Sequence, residues 1–336
     1  MITTHSHACD ASAAVELDAE YFAAANDEDN ILRVYRTGQT AGPVTELDVN
    51  EFLGAPKDKD DGRCKECDIE GGTRLGDMLF WITSHGRSSK LKNGKTVEKP
   101  ERQRLFATRL VKKDGGPSLE PYGVPYRELL AALIQEKDLE KFGLMAASKR
   151  IPEGVDGLNI EALCATLDGD LLIGFRNPIP KGKALLVRLR DPVGLMKSGK
   201  GNARLTGQLL DLEGRGFRDL VRWRGGYLIL AGNFDSTKNF ALFSWKGDET
   251  PPKRLATDLS TINPESLIVF SQDDLRALVL SDDGDLLLGV QREENKKLPV
   301  PERTFRSIWV KLEQHVPPLP LGDAEMPTNP STPEAN

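Results

Sequence analysis

Short apolar runs separated by turn residues recur along the chain, and five segments repeat the same order of elements. Each segment opens on a short stretch that ends in a polar residue, followed by an apolar strand and a turn. A second apolar strand then ends in polar residues, and a third strand follows. Apolar runs bounded by Gly and Asp are typical of antiparallel strands joined by tight turns. The pattern therefore predicts a repeated architecture built from β-strands.

The five units account for nearly the whole chain. They open at residues 10, 68, 159, 216 and 263, and their second strands start at residues 21, 78, 171, 227 and 277. A more polar fourth strand can be placed over residues 44–48, 205–210 and 253–257. Four-stranded sheets repeated around an axis define a β-propeller, in which radial closure protects the strand edges. The predicted fold class is all-β, a β-propeller with five blades of four antiparallel strands, with six blades as the alternative count.

A single domain is predicted over residues 9–315. Between units two and three, residues 126–144 place Leu129, Leu130, Leu133 and Leu139 at helical spacings, where a sixth blade would otherwise have to form. We therefore predict a helical insertion over about residues 125–150, between blades two and three. Residues 316–336 are rich in Pro, Glu, Asp and Thr and have little to bury, so they are predicted to form a disordered tail.

The charge of the chain argues against two classes of partner. The 336 residues include 51 Asp and Glu against 45 Lys and Arg, so the basic surface that duplex DNA or an anionic membrane requires is not expected. The first residues have no basic and apolar signal pattern, and no eighteen apolar residues occur in a row. A soluble, cytoplasmic protein that binds neither nucleic acid nor membrane is therefore expected.

Polar residues recur in register at two positions of the repeat. The first column starts each innermost strand and contains Ser12, Glu70, Glu161, Arg218 and Glu265; the second ends each second strand and contains Asp27, His85, Arg176, Asn233 and Asp282. An antiparallel turn brings both columns to the same end of the propeller. Clustered carboxylates raise one another's pKa unless a cation neutralises them, so such a cluster is costly without a use. Together with Arg87, these residues form the predicted ligand-binding site in the central channel.

The favoured hypothesis is a propeller that binds a small polar ligand, with an anion as the form that the arginines suit. Arg87, Arg176 and Arg218 would contact it, opposed by Glu70, Glu161 and Glu265. The structural alternative is that the arginines pair with neighbouring glutamates and hold adjacent blades in register, since buried ion pairs alone do not indicate function. A protein-interaction platform, with the helical insertion as its docking element, is a third hypothesis.

Several motifs resemble those of the bacterial domain-of-unknown-function 3616 family. The matching segments cover residues 9–15, 27–35, 84–87, 159–163, 172–178, 214–219 and 281–284, within a similarity that extends over about residues 9–312. That family has no established activity. The resemblance therefore implies the propeller fold and adds no reaction.

Asp68-Ile69-Glu70-Gly71 also resembles the blade openings of propeller phytases and related esterase-like propellers, in which ring acids hold calcium ions that receive phosphate. Asn159-Ile160-Glu161-Ala162 matches in part, and Arg218 replaces the acid in blade four. The resemblance implies calcium as a cofactor, with Glu70, Glu161 and Glu265 as its ligands. A hydrolase is therefore the alternative to simple binding, either a calcium-assisted phosphoesterase or a glycosidase that uses two carboxylates.

Overall fold

Five four-stranded antiparallel sheets follow one another in a computed structural model that describes residues 2–113, 115–235 and 237–312. This arrangement confirms the predicted five-bladed β-propeller. The chain begins with β1 (Ile2–Ser6). Blade one contains β2 (Ala13–Glu16), β3 (Tyr21–Ala25), β4 (Ile31–Arg36) and β5 (Thr45–Asp48), and blade two contains β6 (Ile69–Leu75), β7 (Met78–Thr83), β8 (Leu105–Lys113) and β9 (Gly116–Tyr126).

The remaining blades keep the same order from the axis outward. Blade three contains β10 (Asn159–Ala165), β11 (Leu171–Asn177), β12 (Ala184–Arg190) and β13 (Arg204–Leu210), and blade four contains β14 (Gly216–Trp223), β15 (Gly226–Gly232), β16 (Ala241–Trp245) and β17 (Lys253–Arg254). Blade five has β18 (Pro264–Phe270) and β19 (Asp273–Ser281), then a small hairpin of β20 (Leu287–Leu288) and β21 (Glu293–Glu294), and then β22 (Thr304–Lys311). The α-helices are α1 (Asn50–Leu53), α2 (Leu129–Gln135), α3 (Leu144–Ala147) and α4 (Pro192–Ser198).

The N-terminal strand closes the ring, because β1 is the outermost strand of blade five and pairs antiparallel with β22. Its His5 is fully buried, stacks on Phe305 with ring centroids 4.8 Å apart, and places its Nε2 3.0 Å from the Ser307 hydroxyl. The Tyr35 hydroxyl of blade one donates to the Ser6 carbonyl. Strand β1 lies before the predicted domain start at residue 9 and belongs to the sheet of blade five, because its partner β22 is far away in sequence.

The predicted helical insertion is present but shorter. Residues up to Tyr126 belong to β9, and the helical segment consists of α2, a 3₁₀ turn over Lys137–Phe142, and α3. Leu129, Leu133 and Leu139 are fully buried in the apolar cluster shared by blades two and three. The buried leucines of the insertion therefore pack on the propeller.

Apolar clusters fill the interfaces between neighbouring blades, and buried polar side chains fix how the innermost strands meet. The Ser266 hydroxyl donates to the Ala11 carbonyl at 2.6 Å, which joins blade five to blade one. Asp219 of blade four accepts the backbone N–H of Leu267 in blade five at 2.7 Å. These bonds satisfy backbone groups that would otherwise be buried without a partner.

The predicted disordered tail, residues 316–336, lies outside the described residues. Across the parts of the chain that the structure describes, no helix has the length and apolar character to cross a membrane.

Candidate functional site in the central channel

The innermost strands of four blades each contain a β-bulge at the first polar column. In each strand the residues on either side of the bulge pair with consecutive residues of the second strand, and the residue between them is skipped. The skipped residues are Glu70, Glu161, Arg218 and Glu265. A bulge redirects the extra side chain. All four charged side chains line one cavity at the end of the channel.

This cavity has a volume of about 610 Å³, within the range of small-molecule sites. Ten acidic and five basic residues line it, so its charge is predominantly negative. Phe240, Ile262 and Pro152 contribute apolar surface. The cavity brings together eight of the predicted site residues: Asp27, Glu70, Glu161, Arg176, Arg218, Asn233, Glu265 and Asp282.

Ser12, His85 and Arg87 lie outside the cavity, against the sequence prediction. Ser12 directly precedes β2, whose register with β3 is continuous, and its hydroxyl donates to the Ile69 carbonyl at 2.6 Å. Without a bulge, the blade-one member of the column joins blades one and two.

His85 and Arg87 have separate positions. His85 is buried, with Nδ1 2.7 Å from the Thr83 carbonyl oxygen, and burial lowers its pKa to about 4. Arg87 forms an ion pair with Glu98 at 3.0 Å beside the charged loop that follows blade-two strand β7. Neither residue is among those that line the channel cavity.

A chain of ion pairs crosses three blades at the floor of the cavity. Glu161 of blade three accepts from Arg176 and from Arg218 of blade four, each at 2.8 Å. Arg218 then donates to Glu265 of blade five at 2.5 Å. Arg176 also donates to the backbone carbonyls of Asn233 and Asp235. These contacts engage all three nitrogens of Arg176 and both terminal nitrogens of Arg218, whereas the Arg218 Nε is buried without a partner among the described residues. The ion pairs are those of the structural alternative for the two arginines.

A glycine makes the close approach at Arg176 geometrically feasible. A Cβ atom on Gly216 would lie 2.0 Å from the carbonyl oxygen of Arg176, which no side chain could tolerate. The glycine beside Arg215 therefore serves contact between blades three and four.

Glu70 differs from the other glutamates because it forms no hydrogen bond or ion pair with any residue that the structure describes. It is only 8% exposed. Burial, together with the nearby carboxylates of Asp68, Glu161 and Glu265, holds the pKa of Glu70 well above its usual range. Carboxylate oxygens of Glu70, Glu161 and Glu265 lie within 4.8 Å of one another. In a second group, carboxylate oxygens of Glu70, Asp27 and Asp68 do the same. An uncompensated buried carboxylate therefore stands at the junction of two acidic clusters.

A second acidic pair lies where blade one meets the cavity. Asp10 accepts the backbone N–H groups of Ser12 and Asp27, and its side chain is 3% exposed. Burial and the charge of Asp282 raise the pKa of Asp10 to about 7. Burial and the charge of Asp10 raise that of Asp27 well above its usual range. Two carboxyl groups this close cannot both ionise easily, so the pair retains a proton near neutral pH.

Asp10→Asn is expected to change how stability depends on pH. The raised pKa means that the native protein binds a proton more tightly than the unfolded chain, so wild-type stability falls as pH rises from about 4 to about 7. Asparagine removes this loss. The unfolding free energy of the variant minus that of wild type should therefore rise across this window by up to about 1.4 kcal/mol per pH unit. Urea unfolding between pH 4 and 8 measures the difference, and a pH-independent difference would contradict the prediction.

Sequence reasoning missed several polar residues of the site although a signal was present. Asp68, Asn159 and Asn263 all line the cavity, and each stands two residues before a bulge residue, at the opening of its unit. Asp68 accepts from Arg102 at 2.8 Å and from the Ser84 hydroxyl. Asn263 donates to Asp282 at 3.2 Å. The first position of the repeated opening thus supports the column that follows it.

Comparison with known proteins identifies a family. The model of the family described as "Protein of unknown function (DUF3616)" matches residues 10–114 and 124–281. No curated protein matches this sequence.

Solved structures with a similar fold are distant in sequence. Glutaminyl cyclase of Myxococcus xanthus is 12% identical with a TM-score of 0.44, and the match covers 92% of this chain and 95% of that chain. The PQQ-bound aldose sugar dehydrogenase of Streptomyces coelicolor is 8% identical with a TM-score of 0.42, covering 93% and 99%. The propeller domain of Cps50 (Swd1) from Myceliophteria thermophila is 9% identical with a TM-score of 0.33, covering 92% and 99%. These similarities carry no conclusion about activity.

Proposed function

The chain belongs to the DUF3616 family of proteins of unknown function, and we propose that it binds a small polar ligand in the charged end of its central channel. The ligand would present hydrogen-bond donors or a positive charge to Glu70 and Asp27. The observation that carries this proposal is the buried Glu70 carboxylate, which has no partner among the described residues. Leaving such a group without a counter-ion costs stability, so a function that needs it is the simplest reason to keep it.

The distribution of donors favours a ligand with amine or hydroxyl groups over an anion. Arg176 and Arg218 are engaged by Glu161 and Glu265, and Arg306 forms a two-point contact with Asp283. Four of the five basic residues of the lining are held in ion pairs, so an anion that used them would have to displace these pairs and approach an acidic wall. A donor group would instead supply what Glu70 lacks, and Phe240 offers a nonpolar face in the same cavity.

Glu70→Gln is expected to raise the stability of the ligand-free protein and to weaken ligand binding at the same time. Loss of a hydrogen bond to a charged group is worth about 1.5–3 kcal/mol, which corresponds to a loss of roughly tenfold or more in affinity. The measurement is a thermal-shift screen in EDTA with polyamines, amino sugars, polyols and phosphorylated sugars, followed by calorimetry on compounds that stabilise the fold.

Asp77→Asn is the matched control, because Asp77 is an exposed acid of blade two that pairs with Arg109 on the surface. It should bind any compound found in the screen as wild type does. Binding that is equal in wild type and Glu70→Gln would contradict the proposal. Stabilisation by the phosphorylated compounds alone would show that the ligand class is anionic and that the arginines exchange partners.

A further inference from the structure

We propose that Asp27, Asp68 and Glu70 hold a hard divalent cation, calcium or magnesium, on the cavity wall formed by blades one and two. This inference goes beyond the binding of an organic ligand, because the cation would be held by the protein's own oxygens. Asp27 follows β3 of blade one, Asp68 precedes β6 of blade two, and Glu70 is the bulge residue of β6.

The three side chains are close enough to share one ion. One carboxylate oxygen from each lies within 4.8 Å of the other two. Calcium accepts oxygens at about 2.3–2.6 Å, so two oxygens on opposite sides of the ion stand about 4.6–5.2 Å apart. The donor set contains only oxygen atoms, and such a set suits hard cations such as calcium and magnesium better than zinc or copper.

These oxygens also have unused acceptor capacity. Glu70 has both oxygens without a hydrogen-bond donor in the described chain and is more than nine-tenths buried. Asp68 accepts from the Ser84 hydroxyl and from Arg102 through the same atom, Oδ2, so its Oδ1 remains for a ligand. Arg102, which pairs with Asp68, also pairs with Glu66 at 2.9 Å, so its positive charge is shared between two carboxylates.

A neutral residue on the adjacent wall points to the same kind of ligand. Asn159 is 4% exposed and lines the cavity, and its Nδ2 donates to Glu161 at 2.8 Å. Its carbonyl Oδ1 is buried and finds no donor within the described residues. Ser84 connects this residue to the Asp68 side of the cavity. The Ser84 carbonyl accepts the backbone N–H of Ile160, which follows Asn159, and the Ser84 hydroxyl donates to Asp68. Amide oxygens are ordinary calcium ligands.

The cation position differs from the one that the sequence suggested, which used Glu70, Glu161 and Glu265. Oxygens of those three residues also lie within 4.8 Å of one another. Both oxygens of Glu161 and Oε2 of Glu265 are occupied by arginines, however. A cation placed there would compete with arginines for three carboxylate oxygens, whereas at Asp27, Asp68 and Glu70 an arginine holds only Oδ2 of Asp68. Asp27 and Asp68 are therefore the better partners for Glu70.

The test uses the whole 336-residue chain, treated with EDTA and desalted, in calorimetric titrations with calcium chloride and magnesium chloride. Wild type should bind one of these cations and melt at higher temperature in its presence. Glu70→Gln and Asp27→Asn should each weaken binding by about tenfold or more, because each removes a charged ligand. The surface control Asp77→Asn should keep the binding, and Glu265→Gln, at the other acidic cluster, should weaken it less than Asp27→Asn does.

Three results would overturn this assignment. One is the absence of heat and of a thermal shift in wild type at about 10 mM of either cation, above the range of weak calcium modules. Another is equal binding by wild type and Glu70→Gln. The third is binding lost in Glu265→Gln and kept in Asp27→Asn, which would place the ion at the other cluster. Glu70→Gln should fold, since it removes a buried charge, so it decides the matter even if Asp27→Asn is unstable.

The cation test and the ligand screen fail independently. The screen is run in EDTA, so an organic compound that binds there while neither cation binds would retain the proposed function and overturn the cation site. Cation binding without any response to the organic panel would do the reverse.

Discussion

Replacing Arg218 by methionine is expected to lower the free energy of unfolding by about 3–5 kcal/mol, the cost of breaking a buried ion pair by removing one partner. Arg218 is 6% exposed and is the counter-ion that joins Glu161 of blade three to Glu265 of blade five. Methionine keeps much of the side-chain volume but leaves Glu265 and Glu70 as neighbouring buried acids. Urea unfolding of the two proteins at pH 7 measures the loss.

Two comparisons separate this effect from loss of packing. The deficit should shrink when Glu265→Gln is added, and it should shrink as the pH falls toward 5, because a neutral group needs no counter-ion. Arg188→Met is the matched control, since Arg188 pairs with Asp168 and Asp170 on a more exposed surface, where an ion pair is worth at most about 1 kcal/mol. A loss at Arg218 no larger than that at Arg188 would show that the ion-pair chain does not hold the blades together.

His5→Ala is expected to cost about 3 kcal/mol of unfolding free energy, near the lower end for removing a buried ring. The His5 ring is fully buried and contacts Phe22, Tyr35 and Phe305 at centroid distances of 4.8–5.5 Å. Burial lowers the pKa of His5 to about 4. Its stabilising contribution is therefore present above about pH 6.5 and is lost as the pH falls toward 4.

An exposed residue of the same strand provides the control. Ile2 belongs to the same strand but is 49% exposed, so Ile2→Ala should change stability by no more than about 0.5 kcal/mol. Thermal and urea unfolding of both variants measures whether the buried His5 imidazole holds β1 in place to close the propeller. Equal effects of the two substitutions would show that backbone pairing alone closes the propeller.

Local sequence patterns were sufficient to predict most of the fold. The turn residues and the apolar strands of each unit are contiguous in sequence, so the repeat disclosed five blades and placed strands such as Tyr21–Ala25 and Met78–Thr83 correctly. The outermost strand of blade five could not be found this way. Its partner β22 starts about three hundred residues later, and five mostly polar residues give no strand signal of their own.

The candidate site divides along the same line. The repeat put eight charged or polar residues at one end of the channel, because residues at equivalent positions of a repeated unit occupy equivalent places around the axis. Ser12 of blade one and His85 of blade two lie outside the cavity because each of these blades departs from the repeat at that position. Ser12 has no bulge beside it, and the His85 backbone adopts a φ of 57° with its ring buried.

Strand periodicity and turn chemistry are local, so the repeat pattern was sufficient to predict the propeller, five blades as the favoured count, and the end of the channel where polar residues gather. Which carboxylates are neutralised depends on contacts between blades, and the pattern did not reveal it. Arg218 takes one partner from each neighbouring blade, whereas Glu70, with the same residue type at the same repeat position as Glu161 and Glu265, has none among the described residues. The pairing of buried charges depends on distances between blades, and no pattern within one blade contains those distances.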